Sequence, residues 1–404
     1  MATRVYGWRW VNLAMASLVA WVGVLTVVSC FQIVPLIMKG LAIGPAIIGL
    51  FMVAYLVGMT ITSFWAGAVA DRIGSKTCII LGMLIAMAGQ AIFGASPNYI
   101  VAILGRFIIG IGTMFWFTAI PRLLGIWAGP GELGLHQGIY FGFQFAGAGS
   151  AGIIVPKFAE MFGYDWHWSM YVVAICYLVS TVIIAILVKE RPPTATDGGS
   201  PKSTNVPTSV YGSKWVWVYA IYFGGVTAAM YVNLTYGPSY ALTVLPLAEA
   251  SALASAFGWA AFPAAILGGL IADKIGKNWP IILVGGICTS CSVLIPITGA
   301  TKIPPLIAVA YGIAGWGPLF GGVPDVSLTV KSAGKYYPAD RVGTAMGLLS
   351  LCGFGFSIIA VYISGLMAEL GYGWLSIFAW ATLWGLIAFI ASIATIKAEK
   401  GLAK

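Results

Sequence analysis

Gly67-Ala-Val-Ala-Asp71-Arg72-Ile-Gly74-Ser-Lys76 returns in the second half of the chain as Gly269-Leu-Ile-Ala-Asp273-Lys274-Ile-Gly276-Lys277. Each copy is a short charged turn between two long apolar runs. A second pair agrees with the first: Ile120-Pro121-Arg122 closes one apolar run and Val323-Pro324-Asp325 closes another. Two such pairs in the same order mean one structural unit laid down twice. Parallel halves of this kind are a transporter architecture, with the solute site between them near mid-membrane.

On either side of these turns the apolar runs cover 11–37, 45–70, 77–95, 99–122, 136–156 and 168–188, then 215–237, 247–271, 279–299, 303–325, 342–366 and 374–395. A helix crossing hydrocarbon needs about 20 apolar residues. Unpaired backbone groups are too costly in lipid for anything but helices or a closed barrel, and a barrel would show alternating segments of about 10 residues instead. Composition points the same way: 60% of the 404 residues are hydrophobic and 8% are charged, with a mean hydropathy of +0.95, where soluble domains carry roughly 25% charge. The expected fold is an all-α integral membrane protein of twelve transmembrane helices in two pseudo-symmetric six-helix bundles, 1–189 and 214–404. Residues 190–213, rich in Pro, Ser, Thr and Gly, cannot bury a core and read as a linker.

The net charge of +9 would suggest nucleic acid in a soluble protein. Here it has another origin. If both termini and the linker share one face, that face holds Arg4, Arg9, Arg72, Lys76, Arg122, Lys189, Arg191, Lys202, Lys214, Lys274, Lys277, Lys331, Lys335, Arg341, Lys397, Lys400 and Lys404, while the opposite face keeps Lys39, Lys157 and Lys302. The positive-inside rule then places both termini and the linker in the cytoplasm, with the chain in the cell membrane and its basic face towards anionic lipid. Aromatic residues gather at the expected interfaces, among them Trp8, Trp10, Trp166, Trp168, Trp215, Trp217 and Trp374. Arg4 and Arg9 precede a full-length apolar run with no small-residue cleavage site, so no removable leader is expected. The six cysteines lie in apolar runs without metal-type spacing and read as free thiols. With no phosphate-cradling lysine loop, no metal cluster and no nucleophile–base pair, the sequence suggests neither an enzyme nor a cofactor.

The paired Gly-x-x-x-Asp-Arg/Lys-x-Gly turns resemble those of the major facilitator superfamily, and the resemblance runs along the whole chain. Leu104-Gly-Arg106-Phe-Ile-Ile-Gly110-Ile-Gly112 is similar to that family's arginine-containing fourth-helix motif, and Tyr337-Pro338-Ala-Asp340-Arg341 to another recurring segment. Its first-half counterpart Pro130-Gly-Glu132-Leu133-Gly134 departs, with leucine where the family usually has arginine. The resemblance implies alternating access, and a gate formed by Asp71, Arg72, Gly74 and Lys76 with Asp273, Lys274, Gly276, Asp340 and Arg341. Independently of the family, Asp71 can sit against an opposing helix N-terminus, a contact worth roughly 0.3–1 kcal/mol. The alternative role for these turns is topology and folding alone.

Ionisable groups inside a span are costly and mark function by default. All acidic residues read as lying in loops or at helix ends, which leaves Arg106 as the one intramembrane charge, with Gly110 and Thr113 on its face and space for the guanidinium beside Gly110. Arg106 either engages an anion bidentately or bonds backbone carbonyls of neighbouring helices. Gly237-Pro238 should interrupt the seventh helix, freeing backbone groups to bind solute beside the Asn233 amide and Tyr236 hydroxyl; the alternative is an ordinary helix end with interfacial tyrosines. Gln32, Tyr55, Thr113, Trp116, Gln144, Trp259 and Trp316 lie on helices that line the cavity in the family. Gly138, Gly142 and Gly149, continued by Gly152, form a small-residue stripe suited to close helix packing, but the family's antiporter Gly-Pro pair is absent from that helix. His136 is expected near an interface.

An interior with one positive and no negative charge favours a small organic anion, a mono- or dicarboxylate, moved by exchange or facilitated transport rather than by carboxylate-gated proton symport. A multidrug or amphipathic-solute exporter is the second reading and a non-transporting receptor the third. A small-molecule substrate, membrane lipid and a monomeric state complete the expectation. Single cysteines placed at positions 200 and 402 should react with a membrane-impermeant maleimide from the same face of sealed vesicles; labelling from opposite faces would break the topology.

Overall fold

The computed structural model describes residues 7–129, 132–190, 209–338 and 341–402. Most of the expected linker and the gate residue Asp340 lie outside the described residues. Everything else is helical apart from short connections. The first half comprises α1 (Trp8–Gln32), α2 (Val34–Leu41), α3 (Pro45–Ile73), α4 (Ser75–Gly94), α5 (Tyr99–Trp127), α6 (Leu133–Met161) and α7 (Trp166–Leu187). The second comprises α8 (Lys214–Val244), α9 (Leu247–Ile275), α10 (Trp279–Thr289), α11 (Leu294–Gly299), α12 (Pro304–Lys331), α13 (Val342–Glu369) and α14 (Gly373–Leu402). Fourteen described helices make twelve spans, because α1–α2 and α10–α11 are each one span broken in two.

Both breaks follow from proline. Pro35 has no N–H to return to the carbonyl four residues back, and Ile33 leaves helical geometry at φ −127°. Pro296 likewise has no N–H to return to the Ser292 carbonyl, and within the break the N–H of Val293 donates to Thr382 Oγ1 at 3.0 Å from α14. The seventh span behaves differently from expectation. Gly237-Pro238 does not interrupt it, and α8 runs unbroken to Val244. The carbonyl of Gly237 accepts a bond from the Tyr311 hydroxyl at 2.6 Å, so α12 braces the helix at this point.

The two repeated turns fold alike. Gly74 (φ +85°) and Gly276 (φ +68°) take left-handed backbone at the ends of α3 and α9, which a side chain would strain. After each, a carboxylate from the far end of its half covers the next helix N-terminus. Glu190 accepts from the N–H groups of Ser75 and Lys76, both at 2.6 Å. Glu399 accepts from those of Asn278 and Trp279, each at 2.8 Å. The starts of α4 and α10 are thereby satisfied by one design used twice.

On the linker face, the Trp8 indole donates to Leu187 O at 3.2 Å and the Asn12 amide to Lys189 O at 3.0 Å, fixing the start of α1 beside the end of α7. The halves meet along α6 and α9, where the glycine stripe lets backbones touch. A Cβ at Gly138 would lie 2.8 Å from the Ala265 carbonyl oxygen, one at Gly142 2.9 Å from that of Phe262, and one at Gly152 2.6 Å from that of Ser251. At the linker end of this seam the Asp273 carboxylate packs on Gly134, in the first turn of α6. Asp273 is the repeat mate of Asp71, whose side chain lies outside the described residues.

Gly138→Leu should lower the melting temperature by overpacking this seam, at a typical cost of about 1–3 kcal/mol. Gly125→Leu, on α5 with open space around its Cα, should not. Equal melting curves for both in detergent would refute backbone contact between the halves.

Candidate functional site: a closed central cavity and the charges around it

Between the halves lies a small cavity of about 70 Å³. Val24 and Val27 of α1, Tyr55 of α3, Phe117 of α5 and Phe141, Gln144 and Phe145 of α6 form its first-half wall. Phe223, Thr227, Met230 and Tyr231 of α8, Leu319 and Val323 of α12 and Phe354 of α13 form the other. No ionised side chain lines it. Drug-sized ligands occupy roughly 300–1,000 Å³, so the cleft is contracted around this space. Phe117 joins the halves, its ring lying 5.9 Å from Phe354 and 6.2 Å from Phe141. On the face opposite the linker a second cavity, of about 420 Å³, opens between α2 and α3 on one side and α8, α13 and α14 on the other. Pro35, Tyr236 and Trp374 are among its lining residues.

Arg106 sits behind the first wall, fully buried on α5. Its Nη2 donates to Val27 O at 2.7 Å, Nε to Phe51 O at 3.3 Å and Nη1 to Thr26 O at 3.4 Å. The rings of Tyr55, Phe31 and Phe93 surround it at 5.6, 5.7 and 5.8 Å, a cation–π arrangement. The space at Gly110 is used differently from expectation: it admits the Tyr55 carbonyl, letting α3 press on α5. Val27 and Tyr55 touch both the guanidinium and the cavity, so one layer of protein separates the charge from the cleft.

Of the residues singled out in the sequence, Tyr55 and Gln144 reach the central cavity and Tyr236 the outer one. Thr113 and Trp116 lie buried near Arg106, and the Trp116 ring fills the space over Gly23. Asn233 donates to Ala229 O at 3.0 Å and to Ser292 Oγ at 2.9 Å, beside the α10–α11 break. Gln32 is buried and its carbonyl accepts from Ser251 of α9 at 3.3 Å. Trp259 is 44% exposed and packs on Gly149, and Trp316 packs on Phe320 at 5.5 Å, so neither lines the cleft. At the expected gate, Lys331 lies 3.9 Å from Asp273 and 3.4 Å from Asn278 Oδ1. Arg72 and Arg341 are exposed. Tyr337 of the segment before α13 donates to Thr329 O at 2.7 Å, and burial raises its phenol above the usual range. His136 is buried in the first turn of α6, 3.9 Å from Glu132, its ring tilted against that of Trp10 at 5.3 Å.

The sequence reading missed the phenylalanines of the cavity wall, which carry no signal in a chain this apolar. It also misplaced an acid. Asp325 is neither in a loop nor at a helix end: α12 continues six residues further, to Lys331, and the carboxyl is fully buried. The interior therefore holds a candidate negative charge as well as a positive one.

The family model of the Major Facilitator Superfamily matches residues 29–329, which is most of the chain. The chain belongs to the Major Facilitator Superfamily. Its fold agrees with that of a solved member, a bacterial homologue of the human lysosomal transporter Spinster in an inward-facing, unoccupied conformation, with a TM-score of 0.69 over 97% of this chain and 98% of that one at 14% identity. The sialic acid transporter NanX of Escherichia coli is 24% identical over 74% of this chain and 73% of its own length. The probable sulfoacetate transporter SauU of Cupriavidus necator is 23% identical over 84% and 81%. The hexose carrier protein HEX6 of Ricinus communis is 35% identical, but the match covers 28% of this chain and 22% of the carrier. For the first curated relatives the chain thus matches well under two thirds of their length. As a member of the superfamily the protein is a multi-pass membrane protein.

Arg106→Gln should destabilise the protein whatever the substrate. Hydrogen bonds to a charged donor are worth roughly 1.5–3 kcal/mol each, and glutamine cannot reach three carbonyls. A variant that melts with the wild type would show that these bonds hold nothing together.

Proposed function

We propose that this protein moves a small organic anion across the cell membrane by alternating access, the bundles 1–189 and 214–404 rocking about the central cavity with both termini in the cytoplasm. One observation carries the anionic substrate: among the described residues the Arg106 charge meets neutral carbonyls and aromatic faces, and no acidic side chain there neutralises it. Dipoles lower the cost of burying a guanidinium, but its unit of charge persists in a medium of low dielectric. The adjoining cleft, one residue layer away at Val27 and Tyr55, is therefore held at positive potential. The names of two relatives that match most of the chain, transporters of sialic acid and of sulfoacetate, support an acid as cargo. Gln144, Thr227, Tyr55 and Tyr231 supply the neutral polar groups that would orient it.

A second reading, export of amphipathic solutes, draws on the wall itself. Five of its residues are phenylalanines (Phe117, Phe141, Phe145, Phe223 and Phe354), a surface suited to apolar cargo. The two readings separate in proteoliposomes preloaded with unlabelled compound. Labelled sialic acid or sulfoacetate should enter by counterflow, while labelled hexose and a cationic dye should not. Exchange of the hexose or the dye without either acid would overturn the anion reading.

A further inference from the structure

Asp325 is the one described acid that lies within a span, away from both ends of its helix, and is fully buried. Neither of its carboxylate oxygens has a hydrogen-bond partner. The other carboxylates near the membrane show what an ionised one requires. Glu190 and Glu399 each take backbone N–H groups at a helix start, and Asp273 lies against the first turn of α6. Asp325, mid-helix, faces backbone whose N–H groups are already spent on the helix. Its repeat mate makes the contrast plain: Arg122 at the matching place on α5 donates to Ala70 O at 2.7 Å. A cation can borrow a carbonyl from a neighbouring helix, whereas an anion finds no donor to borrow.

No charged side chain among the described residues compensates for this. Lys331, the cation on the same helix, lies against Asp273 and Asn278 instead. The titratable groups within electrostatic reach from α8 are the phenols of Tyr219 and Tyr222, and the Cys288 thiol of α10 stands beyond Tyr222. Asp273 and Lys274 stand in the last turn of α9, near the same end of the bundle, where Asp273 lies against Gly134 and Lys331, and Glu399 of α14 is committed to the start of α10. Burying an ionised carboxylate without partners costs several kcal/mol even after relaxation, so the group is neutral while the cleft is closed. The neighbouring Val323 and Val326 line the central cavity. Tyr219, whose hydroxyl meets Ser332 Oγ at 3.1 Å, offers a hydroxyl route towards the linker face.

We propose that Asp325 binds a proton in the closed state and releases it when the cleft opens towards the linker face, so that one proton crosses with each solute molecule. A monoanion carried with one proton would move without net charge. This proposal rests on the transport reading above but not on the charge of the cargo. It replaces the preference for exchange or facilitated transport over proton symport, which rested on the want of an intramembrane acid.

The first test needs no substrate. Purified protein in lipid should show the infrared carbonyl band of a protonated carboxylic acid at neutral pH, and Asp325→Asn should lack it; identical spectra would overturn the proposal. The second uses whichever of labelled sialic acid, sulfoacetate or hexose exchanges. An imposed pH gradient should raise wild-type accumulation by up to about tenfold per pH unit. Asp325→Asn should lose that response yet retain exchange at equal pH on the two sides. A variant that still follows the gradient, or a folded one that no longer exchanges, would overturn it too. Should the asparagine protein not fold, Asp325→Glu carries the test: it should keep the band and the gradient response with a displaced pH profile, and an unchanged profile counts against the proposal. If neither acid exchanges but the band is present, the anion reading fails alone.

Discussion

A helix in a membrane has acceptors to spare and almost no donors. Each carbonyl keeps a second lone pair after its intrahelical bond, whereas each N–H is spent, save in the first turn. Lipid offers no water to correct an imbalance. The buried polar groups sort by this rule. Arg106 settles among three carbonyls, Arg122 takes that of Ala70, and the Tyr311 hydroxyl takes that of Gly237. Carboxylates go where N–H groups are free, at the starts of α4, α6 and α10. A positive charge inside such a bundle can therefore be structural, while a negative one away from a helix start is held at a cost.

The same rule explains what was legible in the sequence. Spans are set by the cost of unpaired backbone, so apolar runs alone place twelve of them, and the repeated Asp-Arg/Lys turns pair the halves. Their ends were not legible. Charged and polar residues enter helices near an interface where water remains available, so α12 reaches Lys331 and α8 reaches Val244, beyond the apolar runs. Asp325 was lost in this way, read as a boundary when it lies inside. The breaks also misled. Proline marks a place where a helix can fail, but a neighbouring donor or acceptor decides whether it does. Gly237-Pro238 is braced by Tyr311, whereas in the break before Pro296 Thr382 accepts the N–H of Val293, which the interrupted helix leaves unpaired.

For the candidate site the sequence showed charge and polarity and little else. Arg106 stood out because it is costly, yet expense does not say whether a ligand or the fold compensates. Only its three bonds do. Tyr55 and Gln144 reach the cavity, while Thr113 and Trp116 on the same helix as Arg106 face the bundle interior. A helix position predicts a face, but the tilt that brings one turn to the cleft and turns the next away comes from packing. In this chain that packing rests on glycines whose partners lie far off in sequence.

The seam those glycines make bears on how such a molecule can move. Interdigitated side chains lock two helices in register, because sliding must lift each knob from its hole. Between α6 and α9 the contact is backbone on backbone at Gly138, Gly142 and Gly152, with few knobs to lift. A smooth ridge tolerates small changes of crossing angle at little cost while resisting separation, which is what a pivot needs. The contracted cavity lies beside this ridge, closed by Phe117 and Phe354 from opposite halves, rings in contact without a hydrogen bond or ion pair between them. Tilting one half against the other would part the rings before it disturbed the seam. Under the proposed alternating access, the weak apolar contact of Phe117 with Phe354, rather than the tight glycine contact, is then the element that a solute must displace.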